Sequence, residues 1–175
     1  MIRYTVNSRT SLLNMPFYVT SLTVTGNTCN EDILTILDLS SFKLLQSVVI
    51  GDHCFKYVSV FSIEGLNWLE SVTIGSSSFC LSCSCNSNNY REFYITNCSS
   101  LSTLSVGRYS FSDYSVLELT TLPKLKSLSI GTYQSSCNFC YVRDFRAVNL
   151  PSLESISIGY LSFEYCHSVR IEGEL

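Results

Sequence analysis

Five cysteines in two short stretches are the residues of this chain best suited to chemistry. Cys80, Cys83 and Cys85 lie in C-L-S-C-S-C, and Cys137 and Cys140 lie in S-C-N-F-C-Y. Two C-x-x-C pairs, Cys80 with Cys83 and Cys137 with Cys140, have a spacing from which four thiolates can build a tetrahedral zinc site. The plainer alternative takes precedence: unrelated thiols in loops, or small apolar side chains buried in a core. A disulfide is the third possibility. Nine cysteines are an odd count scattered over the chain, unlike the framework of a secreted, disulfide-rich domain. They tip the expected compartment towards the reducing cytoplasm, with the cell surface as the alternative if the chain is a piece of a longer protein.

Other chemistry finds little support. A nucleophilic centre needs a nucleophile, a base and an orienting group within reach of one another. The only two histidines, His53 and His167, fall far apart in the chain, the carboxylates fall at scattered positions, and no glycine-rich phosphate loop is present. The reading is therefore not an enzyme, and no cofactor is implied. A net charge of −3 with 11 Lys plus Arg and no basic run leaves no footprint for nucleic acid or an anionic membrane. No apolar run approaches the roughly 20 residues that span a bilayer, so membrane insertion is not expected.

The elements that carry these residues follow from a repeat. L-Q-S-V-V-I-G at Leu45 returns as L-E-S-V-T-I-G at Leu69, L-S-T-L-S-V-G at Leu101, L-K-S-L-S-I-G at Leu125 and L-E-S-I-S-I-G at Leu153. The glycines Gly51, Gly75, Gly107, Gly131 and Gly159 are 24, 32, 24 and 28 residues apart, a period of 24 with two insertions. A fixed period of this length marks a solenoid. Four residues after the glycine comes an aromatic, Phe55, Phe79, Phe111 or Phe163, with Ser135 as the exception.

Within each unit the alternation of Val72 and Ile74 with Ser71 and Thr73 has the period of a strand buried on one side. A second alternating segment precedes the next leucine: Phe61, Ile63 and Leu66; Phe93, Ile95 and Cys98; Leu117, Leu119 and Leu122; Phe145, Ala147 and Leu150. Its β-branched and aromatic content favours a strand over a helix. The expected fold is an all-β-rich solenoid of about six rungs, with two short parallel strands per rung and little helix. A hydrophobic content of 46% against 14% charged residues fits one globular domain over 1–175. Residues 1–18 are expected to form an irregular first turn, imperfect or frayed, with Met1, Tyr4 and Val6 in the inward positions. The last segment, from Val169, starts a return strand and ends without a capping pattern, which suggests part of a longer array.

The spacing L-x-x-L-x-L-x-x-N-x-L, matched by V-T-S-L-T-V-T-G-N-T-C from Val19 to Cys29, resembles the leucine-rich repeat. The resemblance covers roughly residues 11–175, and the I-G-x-x-S-F ending is similar to the BspA-like subclass, whose repeats are often found in surface and adhesion proteins. His53, Ser77, Tyr109, Tyr133 and Leu161 stand where the family has its turn-closing asparagine, so these turns must be closed differently. The resemblance implies a protein-binding role.

Two columns of outward residues give that role a surface: Ser21, Ser47, Ser71, Thr103, Ser127 and Ser155, and beside them Thr23, Val49, Thr73, Ser105, Ser129 and Ser157. Small side chains are also what a curved coil demands on its inner side, so the strip has a structural reading beside the ligand-facing one. Tyr90, Tyr94, Tyr109, Tyr114, Tyr133 and Tyr160 fall at turn or outward positions, where tyrosine often serves interfaces. The two insertions are expected after Phe79 and after Ser135, at equivalent places on one edge, bringing the cysteine loops near each other. Two functions remain open: a non-enzymatic protein-interaction module, or a structural or adhesive section of a longer array, with end-to-end self-association among its partners.

Overall fold

The computed structural model describes residues 1–81 and 90–173, and in it the chain winds into a parallel β-solenoid. The strands that open each unit are β1 (Arg3–Val6), β2 (Ser21–Val24), β4 (Ser47–Ile50), β6 (Ser71–Ile74), β8 (Thr103–Val106), β10 (Ser127–Ile130) and β12 (Ser155–Ile158). The return strands are β3 (Ile36–Asp38), β5 (Val60–Glu64), β7 (Glu92–Thr96), β9 (Val116–Thr120), β11 (Asp144–Val148) and β13 (Ser168–Glu172). The first set forms a seven-stranded sheet and the second a six-stranded sheet, each running through the coils in order.

Pairing is in register from coil to coil, so like residues stack: Leu22, Val48, Val72, Leu104, Leu128 and Ile156 form one inward file. Between the sheets a second file is aromatic. Phe55, Phe79, Phe111, Phe139 and Phe163 stack ring on ring with centroids 5.1, 4.6, 5.0 and 5.6 Å apart. Offset stacking at these distances contributes beyond the area buried.

Close packing between coils, rather than backbone conformation, is what the turn glycines serve. Gly51, Gly75, Gly107 and Gly159 do not adopt positive φ; of this column only Gly131 does, at 74°. What forbids a side chain is the coil below: a Cβ on Gly75 would lie 2.6 Å from the carbonyl carbon of Gly51, and one on Gly107 2.5 Å from that of Gly75. The left-handed positions are instead the second and fourth residues after the glycine, among them His53 and Phe55, Ser77 and Phe79, and Tyr109 and Phe111.

Serine closes these turns in the asparagine's absence. The Ser78 hydroxyl donates to the Gly51 carbonyl at 2.8 Å and accepts from the Cys54 amide at 3.0 Å. Ser110 repeats the arrangement one coil on, with Gly75 O at 2.6 Å and the Ser78 amide at 3.0 Å. Each hydroxyl thus satisfies a donor and an acceptor that the tight turn strips of ladder partners.

The first turn is shortened, an imperfect coil rather than a frayed one. β1 pairs with β2 in register, Tyr4 with Leu22 and Val6 with Val24. In place of a return strand comes α1 (Arg9–Leu13), opened by a reciprocal Ser8–Ser11 capping box. Val6 is fully buried, while Met1, expected inward, is 82% exposed.

Candidate interaction surface

Parallel registration sets the outward hydroxyls in two files. Ser71, Thr103, Ser127 and Ser155 are successive partners in one, and Thr73, Ser105, Ser129 and Ser157 in the other. Neighbours in a file are one strand spacing apart, about 4.8 Å. Thr73, Thr103, Ser105, Ser155 and Ser157 are exposed, and Ser71, Ser127 and Ser129 half-buried. From β2 to β12 the files contain no ionisable residue, and Val49, 40% exposed, is the one apolar member. The face therefore offers hydrogen-bond donors and acceptors at a regular pitch with little charge.

Tyr109 and Tyr133 differ in setting. Both stand at the turn after a first-sheet strand, but Tyr133 is 92% exposed while Tyr109 is half-buried with its hydroxyl bonded to Ser135 Oγ. Tyr90 and Tyr160 are exposed as expected. Tyr114 is not outward at all. It is fully buried, its hydroxyl donates to the Val58 carbonyl at 2.5 Å, and its ring meets Phe111 edge-on at 4.8 Å.

The insertions do not occupy equivalent places. The first follows Phe79, whereas Phe139, not Ser135, completes the aromatic file in the fifth full coil, so the four extra residues lie inside the turn between Gly131 and Phe139. Asn138 takes over the closing serine's task, donating to Gly107 O at 2.7 Å and Ser110 O at 2.9 Å. Cys137 and Cys140 bracket Phe139 and are joined to each other by a disulfide, a form in which neither sulfur is a thiolate ligand. Cys80 is buried, and Cys83 and Cys85 fall outside the described residues. Among the described residues no group of three His, Cys, Asp or Glu side chains is disposed around a metal position.

A buried ion pair that no sequence motif announces anchors the first insertion. Arg91 and Asp113, 3% and 2% exposed, meet at 2.5 Å. The guanidinium also donates to the carbonyls of Lys56, at 2.9 Å, and Val58, and lies 4.7 Å over the Tyr114 ring. Asp113 Oδ2 accepts from the Leu81 amide at 3.3 Å. Three coils and both ends of the insertion are thereby tied to one guanidinium–carboxylate pair. Burial raises the Asp113 carboxyl above the ordinary range even against Arg91, and its Oδ1 is buried without a hydrogen-bond partner.

The thiols of Cys29, Cys54 and Cys98 are buried in the core, and burial pushes all three up, Cys29 to about 12. They are protonated near neutral pH and poor nucleophiles. His53 sits exposed on the turn after β4, and His167 exposed ahead of β13. On the second sheet a cleft of about 280 Å³ is lined by Tyr90, Val116, Glu118, Arg143, Asp144 and Arg146. Its charges are largely spent on neighbours, Arg146 on Glu118 at 3.9 Å and Asp144 on the Ser168 hydroxyl at 2.5 Å. Compared with known proteins, the chain matches no family model, no curated protein and no solved structure.

Proposed function

We propose that this chain is a non-enzymatic protein-interaction module and that the outer face of the seven-stranded sheet is its docking surface. One observation carries the reading: over six consecutive strands, β2 to β12, the outward side chains are small and nearly all hydroxylic, in two files set by strand registration. Such a face is flat, hydrogen-bonding and close to neutral, which suits the peptide-rich surface of another protein better than a polyanion. The similarity of the repeat to BspA-like leucine-rich repeats supports the same reading. Exposed Tyr133 and Tyr160 beside the sheet supply the aromatic anchors that interfaces favour.

The test places charge on each sheet in turn. A Thr73→Lys/Ser129→Lys variant alters the first sheet, and a Thr96→Lys/Thr120→Lys variant the second, with melting temperatures to confirm that both fold. After cross-linking and mass spectrometry, the expected result is a protein retained by wild type and by the second-sheet variant but lost from the first-sheet variant. Retention by the first-sheet variant and loss from the second-sheet one overturns the assignment.

A further inference from the structure

The disulfide joins Cys137 and Cys140 across a separation of 3 residues, in a turn that is already fastened without it. The Asn138 amide donates to the carbonyls of Gly107 and Ser110, and the Ser112 hydroxyl donates to the Cys137 carbonyl at 2.6 Å. The backbone is tied to the coils on both sides. The Phe139 amide donates to Phe111 O at 3.1 Å, while Asn138 O and Cys140 O accept from the amides of Phe163 and Tyr165, each at 3.0 Å. The Phe139 ring is fully buried between those of Phe111 and Phe163. The stabilisation a cross-link gives grows with the loop it closes, and this loop is very short. The covalent bond therefore adds little to a turn that hydrogen bonds and a stacked ring hold in place.

The two sulfurs are not equivalent. Cys140 has no exposed surface, and its Sγ lies 3.5 Å from the Leu161 carbonyl oxygen. A disulfide sulfur has no hydrogen to give that oxygen, whereas a thiol has one, so reduced Cys140 finds an acceptor already in place. Cys137 is 8% exposed and is the sulfur an incoming thiolate reaches first.

We propose that Cys137 and Cys140 form a reversible dithiol–disulfide couple that is reduced by dithiols and re-oxidised by disulfides. The reductant's thiolate attacks Cys137 Sγ, the Cys137–Cys140 bond breaks, and Cys140 leaves as a thiolate that takes up a proton. The reductant's second thiolate then attacks its own sulfur in the mixed disulfide, closing the reductant's disulfide and releasing Cys137, which is protonated in turn. Two electrons and two protons pass to the cysteine pair. Oxidised glutathione reverses the sequence through a mixed disulfide at Cys137 and leaves as two molecules of the thiol. The couple is independent of the role given to the outer face.

Trypsin releases residues 127–143 as one peptide, bounded by Lys126 and Arg143, that holds both cysteines and no other. The native chain is treated with dithiothreitol and then with oxidised glutathione, quenched in acid at each stage, unfolded and alkylated with N-ethylmaleimide. This peptide should carry two maleimides after dithiothreitol and none after re-oxidation, over repeated cycles. Circular dichroism should be unchanged on reduction and the melting temperature lower by only a few degrees. A peptide that stays unlabelled until denaturant is added overturns the proposal. So does a chain that unfolds when the bond is reduced, or a dithiol that does not re-form the bond. Single variants test the order of events: with oxidised glutathione, folded Cys140→Ser should form a mixed disulfide at Cys137, and folded Cys137→Ser none at Cys140. The reverse pattern overturns entry at Cys137.

Discussion

The coil of β8 and β9 and the coil of β12 and β13 are written in nearly the same pattern, yet they live in different surroundings. Leu104, Val106, Leu117 and Leu119 are no more than 2% exposed, while their counterparts Ile156, Ile158, Val169 and Ile171 are 38–59% exposed. Identical apolar spacing therefore yields a core only where a neighbour stacks on both sides. The first coil departs from this: Val6 in β1 is fully buried there, in a turn that carries α1 in place of a return strand. In a solenoid the stabilising unit is the interface between coils, not the coil.

The largest effect is expected at the buried pair in the middle. Arg91→Ala leaves Asp113 buried and unpaired and should cost about 3–5 kcal/mol in chemical denaturation. The pair also gives the centre a pH signature. Because the folded-state carboxyl of Asp113 is raised, the folded chain holds that proton more tightly than the unfolded chain. Its contribution is fully present below the unfolded value and is lost as pH rises through the folded one. Wild type measured against Asp113→Asn should accordingly lose relative stability as pH is raised through the acid range; a relative gain would show that Arg91 outweighs burial.

Next come the phenylalanines. Phe111 packs on Phe79, Phe93 and Phe139 at 4.6, 4.7 and 5.0 Å and is fully buried, so Phe111→Ala should cost about 3–5 kcal/mol. Phe163, the same position in the last coil, is only partly buried, and Phe163→Ala should cost well under half as much. Equal losses would mean that partial exposure does not weaken the ring's hold in the last coil.

Most of this architecture is visible in the chain itself because the period of 24 and the alternation within it specify which side chains stack. The hydroxyl files follow from the same arithmetic. Three features escape it. The Arg91–Asp113 pair joins residues 22 apart, at positions that the period of 24 does not relate. Tyr114 reads as a turn residue because the Val58 carbonyl that accepts its hydroxyl lies 56 residues away. In the fifth full coil, Phe139 replaces the aromatic expected at Ser135 because a turn can absorb four extra residues as long as a ring and a closing amide reach the file. Local spacing cannot show which residue the stack will recruit.

The glycines sharpen the contrast between centre and end with a smaller change. A methyl group at Gly107 meets backbone at 2.5 Å, which cannot move without shifting the coil of Gly75, whereas at Gly173 the nearest atom is 3.8 Å away. Gly107→Ala should destabilise by about 1–3 kcal/mol and Gly173→Ala by no more than about 0.5 kcal/mol, read as shifts in denaturant midpoint.

The smallest effect is expected from the charges that bridge the last two coils. Lys126 and Glu154 approach to 3.6 Å but remain 60% and 68% exposed, so water and salt screen their attraction, and ordering two long side chains offsets what is left. A double-mutant cycle of Lys126→Ala and Glu154→Ala should give a coupling below about 0.5 kcal/mol that salt does not alter measurably. The buried pair at the centre has one carboxylate and one cation as well, and what separates the two cases is solvent. A coupling above about 1 kcal/mol at the exposed pair would mean that charge, rather than the strand ladder and apolar contact, fastens the final coil to the stack.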